Sequence, residues 1–236
     1  MVLEGRQKDY EIRELSCSRE AGALRLRWRY KKATDFLIFV YDSRQAEEFS
    51  LETALEELVD TAVMDAQKKL WSPGRAVSWK LMHKTKAEFV RDGKSVAIPV
   101  SELDKNVPYG ICVFACRLEE EDEEKERLHV YPSDAQENTW FLPVKVKAQI
   151  RYRKRLFSGE KYGILYVPRI ADYRDGAVCC RVDGAASLLP LPQACLGREL
   201  VITMPKRAKL CLSVREADRK YFAVQLLDRQ GAKHSF

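Results

Sequence analysis

The chain has 236 residues and a formal net charge of +6, with 46% hydrophobic and 32% charged residues. That length carries one large domain or two of ordinary size with self-sufficient cores, and the hydrophobic content excludes a chain held open by its own charge. No stretch nears the roughly 18 consecutive apolar residues of a membrane span, and the opening MVLEGRQKDYEIREL lacks the apolar run of a secretory leader, so a cytoplasmic location and no membrane partner are expected.

In chain order, the first clear element is Ala23 to Tyr30, where Leu24, Leu26, Trp28 and Tyr30 alternate with Arg25, Arg27 and Arg29. A period of two predicts a strand with one face in a core and arginines outside. After the turn KKAT, residues Thr34 to Asp42 (TDFLIFVYD) are aromatic and branched without alternation, which predicts a strand buried on both faces. About fifty residues then separate this strand from the next, Lys94 to Val100. Within them Leu51, Leu55, Leu58, Ala62 and Ala66 recur at helical spacing after a potential N-cap at Ser50, predicting an amphipathic helix over about 50–71. Its apolar stripe must be covered by its own sandwich, by the second domain or by a partner. Tyr109 to Leu118 and Arg127 to Tyr131 read as a hairpin whose tip is the acidic run Glu119 to Glu126, read as a solvated loop because it lacks the ligand spacing and glycine of a calcium site.

The stretch GALRLRWRYKKATDFLIFVYDS, with Trp28 at its centre, and Tyr109 following Asn106, Val107 and Pro108 resemble a fibronectin type III domain over residues 1–135. The resemblance implies a β-sandwich with Trp28 in its core. It also implies a Tyr109 hydroxyl bonded back to nearby backbone, and an acidic hairpin tip available to partners. The fifty-residue segment is longer than that pattern needs, and the helix over about 50–71 reads as an insertion into it.

The polar stretch Pro132 to Asn138 marks an expected boundary, and residues 138–236 form the second domain. There Val144, Val146, Ala148, Ile150 and Tyr152 alternate with Lys145, Lys147, Gln149, Arg151 and Arg153. Tyr162 to Val167, Ala177 to Val182, Glu199 to Met204, Lys209 to Val214 and Tyr221 to Leu227 continue the series between turns such as SGEK and YRDG. Six short strands predict a second β-sandwich or a small barrel. The expected fold class is therefore mainly β, two sandwich-like domains, the first with an inserted amphipathic helix.

The functional signal is electrostatic. From residue 138 onward there are 19 Lys and Arg against 8 Asp and Glu, and before it 22 against 27. A basic domain attracts acidic proteins, nucleic acid or anionic lipid headgroups at long range. Lys145, Lys147, Arg151 and Arg153 share one strand face, extended by Lys154 and Arg155, and are the candidate binding residues. No interleaved aromatics are evident on that same face, and no duplex-binding motif occurs. Trp71, Trp79 and Trp140 form an alternative candidate, a platform for sugar rings.

Catalytic signals are thin. His83, His129 and His234 stand in no nucleophile motif, and GxSxG, HExxH, P-loop and GxGxxG patterns do not occur. No catalytic residue, cofactor or metal is assigned, although 35 acidic residues leave a carboxylate pair open. Seven cysteines without a CxxC pair read as reduced thiols rather than zinc ligands. The expected function is a non-catalytic protein-interaction or adaptor protein. The alternatives are a carbohydrate-binding module and a nucleic-acid binder acting through the basic domain.

Overall fold

Alternation in the sequence becomes two-sheet packing in the computed structural model, which describes residues 2–32, 35–44, 50–52, 54–55, 86–91, 95–122, 125–227 and 233–235. The described residues are mainly β and divide into two units, Met1–Leu142 and Pro143–Phe236.

The first unit begins with β1 (Val2–Leu3), β2 (Arg13–Glu20), β3 (Ala23–Arg29) and β4 (Asp35–Asp42). It continues with β5 (Lys86–Arg91), β6 (Ser95–Pro99), β7 (Tyr109–Asp122), β8 (Lys125–Tyr131) and β9 (Thr139–Leu142). One sheet runs β2-β3-β6; the other runs β1-β8-β7-β4-β5, with β9 pairing β7. The predicted inward row of β3, Leu24, Leu26 and Trp28, meets Phe36, Ile38 and Val40 of β4 and Ile111, Val113 and Ala115 of β7, so one core fills the space between the sheets. The Trp28 ring meets Phe36 at 5.1 Å in an edge-on contact.

All eight residues of β4 are buried: the apolar run Phe36 to Tyr41, as its pattern predicts, and the flanking Asp35 and Asp42. The cause lies on the far face of the large sheet. There Leu37, Phe39 and Tyr41 join Cys112, Phe114, Cys116, Leu128 and Val130 in a second core, which Leu51, Ala54 and Leu55 cover. Residues 51, 52, 54 and 55 are helical, and the Ala54 amide donates to the Ser50 carbonyl at 3.1 Å, the first bond of a helix. The start of the predicted helix therefore buries its stripe on its own unit. The rest of the helix expected to residue 71 lies outside the described residues, as do Trp71, Trp79 and His83.

Three features differ from the sequence expectation. β5 lies between the predicted helix and Lys94, where no strand was expected, and pairs antiparallel with β4, from Asp35 opposite Arg91 to Val40 opposite Lys86. The acidic run is strand over most of its length rather than loop, with Glu119 opposite Arg127 and Asp122 opposite Lys125 in an extended β7–β8 hairpin. The polar stretch 132–138 is knitted into the first unit. Ser133 Oγ accepts from the Ile12 amide at 2.9 Å, and Asp134 caps the short helix Ala135–Asn138. Buried Asn138 donates to the Val113 carbonyl at 3.1 Å, so this stretch interrupts the edge of the sheet between β8 and β9.

The second unit contains β10 (Val144–Lys154), β11 (Glu160–Tyr166), β12 (Val178–Val182) and β13 (Leu189–Pro190). β14 (Glu199–Pro205), β15 (Leu210–Val214), β16 (Phe222–Leu227) and β17 (Lys233–Ser235) complete it. These strands form a five-stranded sheet, β14-β11-β10-β16-β17, and a three-stranded sheet, β13-β12-β15. Two separate sheets, not a closed barrel, resolve the alternative left by the sequence. Val146 and Ala148 of β10, Leu165 of β11 and Met204 of β14 meet Val178 and Cys180 of β12 and Leu210 of β15 in a single core. The long segment before β12 is pinned by buried Tyr173, whose hydroxyl donates to the Leu191 carbonyl at 2.7 Å and accepts from the Val178 amide at 3.0 Å.

Candidate functional site

β10 is the central strand of the five-stranded sheet, and its alternation fixes the site. Val146 and Ala148 point into the core, which leaves Lys145, Lys147, Gln149, Arg151 and Arg153 exposed on the outer face. At about 3.3 Å per residue, alternate side chains repeat roughly every 6.6 Å, so the row extends over roughly 26 Å.

Register adds neighbours that a single strand does not reveal. β11 pairs Gln149 with Tyr166, Arg151 with Ile164 and Arg153 with Tyr162, placing Tyr162, Ile164 and Tyr166 on the same outer face, each half-buried. β14 then adds Glu199, Val201 and Thr203, with Val201 exposed, while β16 sets Ala223 and Gln225 beside Lys145 and Lys147. This corrects the expectation that no aromatics accompany the cations: they come from the adjacent strand. The period-two row of Tyr162, Ile164 and Tyr166 was legible as a strand face, but its alignment with the arginines depends on hairpin register.

The cations differ in partnership. Arg151 pairs with Glu199 across β11, and Arg155 pairs with Glu160 at 2.7 Å and lies 5.9 Å from the Tyr162 ring centroid. Among the described residues, no carboxylate pairs with Lys145, Lys147 or Arg153. Lys154 sits opposite Lys161, on the alternate side of β10 from Arg153. The face thus offers three unneutralised cations, one anchored arginine and an aromatic and aliphatic strip. Its chemistry is ionic attraction and stacking on an open surface.

A second cationic feature of this unit is a shallow cavity of about 390 Å³ lined by Arg169, Ile170, Gln193, Ala194, Leu196 and Arg198. Gly197, at φ 75°, has no Cβ to collide with the Arg169 side chain packed against it.

Elsewhere, Trp140 of the tryptophan candidates lies on β9 and packs partly buried on the first unit's core. His129 bridges Glu4, at 2.7 Å from Nδ1, and Glu119, at 3.4 Å from Nε2, which ties β1 to β8. All seven cysteines are free thiols, four of them buried. Burial pushes Cys112 up to about 12 and Cys17 and Cys180 up to about 11, and holds Cys116 well above the ordinary thiol range. These sulfurs stay protonated near neutral pH and are poor nucleophiles and poor metal ligands. Among the described residues, no group of three or more His, Cys, Asp or Glu is placed to hold a metal ion, and no helix is long and apolar enough to cross a membrane.

No family model matches the chain, and no curated protein matches it.

Proposed function

We propose that this chain is a non-catalytic, cytoplasmic binding protein whose second unit captures an extended, acidic segment of another protein on the outer face of its five-stranded sheet. One observation carries the reading: Lys145, Lys147, Arg151 and Arg153 share that face, and three of the four have no described carboxylate partner. An extended peptide with acids at alternate positions repeats its charge at the same interval of roughly 6.6 Å as β10. The unit's 19 basic against 8 acidic residues would draw such a segment in from a distance. The free thiols fit a reducing compartment.

In this reading the first unit is a fibronectin type III-like scaffold. Its support is the pair of sheets packed around Trp28, together with the Tyr109 hydroxyl that accepts from the Asp104 amide at 3.0 Å.

The test is a fluorescence-anisotropy titration of an acidic peptide with alternating glutamates against the wild type and K145E/K147E/R153E. The variant is expected to bind at least about tenfold more weakly at unchanged thermal stability, because all three side chains are exposed. Equal affinity would retire the face.

A second reading, single-stranded nucleic acid, is favoured by Tyr162 and Tyr166 lying beside Arg153 and Gln149. It predicts that Tyr162→Ala with Tyr166→Ala weakens binding of a single-stranded oligonucleotide by more than binding of the acidic peptide.

A further inference from the structure

The β10–β11 hairpin ends in an exposed apolar pair, independent of the outer face. Leu156 is 80% exposed and Phe157 fully exposed. Phe157 also stands at φ 59°, in the left-handed region where a turn ordinarily takes glycine or asparagine. Two large apolar side chains held in water at a turn serve no core of this unit.

The surroundings of the tip are strongly basic. The β14–β15 turn is brought alongside it by Glu160 pairing with Pro205 and by the Lys206 amide donating to the Gly159 carbonyl at 2.9 Å. Residues 152–162 and 205–209 together hold seven Lys and Arg against one acid, Glu160, which Arg155 neutralises. Lys154, Arg155, Lys206 and Arg207 are exposed, and half-buried Lys161 holds its ammonium 4.3 Å from the ring centroid of Tyr152. The result is an apolar point within a cationic collar.

We propose that this tip docks the protein on an anionic lipid surface, with Leu156 and Phe157 entering the acyl boundary and the collar meeting the headgroup phosphates and carboxylates. Lipid is favoured over a protein pocket by shape and charge. A projecting point of two side chains needs a deformable surface rather than a preformed cavity, and the six cations left beside the Arg155–Glu160 pair match an anionic leaflet, in which each basic side chain near the surface adds attraction. This is attachment to a surface, distinct from spanning it.

Co-sedimentation of the full chain with phosphatidylcholine vesicles, with and without phosphatidylserine, tests the proposal. The chain is expected to pellet with the phosphatidylserine vesicles. L156D/F157D and K206E/R207E should each lower that affinity at least about tenfold, with unchanged circular dichroism and melting because the altered residues are exposed. K145E/K147E, at the far end of β10, should retain vesicle binding, which separates this proposal from capture of an acidic segment. The proposal is overturned if the wild type does not pellet with anionic vesicles, if L156D/F157D pellets as well as the wild type, or if the chain sediments equally without vesicles, which would assign the apolar pair to self-association.

Discussion

Tyr173 shows how much one hydroxyl can hold. It donates to Leu191 and accepts from Val178 inside the second unit, so Tyr173→Phe strands the buried Val178 amide and leaves the Leu191 carbonyl only its bond from the Gly176 amide at 3.2 Å. The expected loss is about 1–3 kcal/mol in urea denaturation, and an unchanged midpoint would show that the loop before β12 is held by other contacts. Nothing in ADYRDGA marks this tyrosine as different from its neighbours, because its two partners lie 18 and 5 residues away along the chain. Tyr109 stood out through its setting after Asn106, Val107 and Pro108 at the start of an apolar strand, and its hydroxyl accepts from the Asp104 amide five residues back. The candidate site divides along the same line. Lys145, Lys147, Arg151 and Arg153 could be read from period two alone, whereas Tyr162, Ile164 and Tyr166 join them only through pairing between strands.

At the scale of elements, patterns were readable wherever burial is one-sided or complete. β3 alternates and β4 does not, and the difference correctly separates a strand covered on one face from one covered on both. β2 was missed because most of RELSCSRE is exposed, leaving no apolar row to detect. β5 was missed because KAEFVR is too short to stand out within a segment dominated by a helical signal. The element that completes the first unit is the beginning of the insertion, where Leu55 is 5% exposed against the outer face of the large sheet. Leu55→Ala should cost about 2–5 kcal/mol, since β4 and β7 cannot collapse to fill the space. Thermal melting measures this, and a cost near zero would mean that the helical turn is not part of the cooperative unit.

For the molecule as a whole, division of charge is the property that composition hides. A net +6 covers a first unit with 22 basic and 27 acidic residues and a second with 19 and 8. The basic excess concentrates attraction on the second unit, and the outer sheet face gives it a regular spacing. The central claim is that this face, and not basic charge in general, meets the acidic partner. Zero-length carbodiimide coupling tests it most directly, because it joins a carboxylate only to an amine in contact with it. With the alternating-glutamate peptide bound and the products mapped by mass spectrometry, the account predicts crosslinks at Lys145 and Lys147. Crosslinks confined to Lys206, Lys209 or Lys220, or spread over lysines of the first unit, would contradict it.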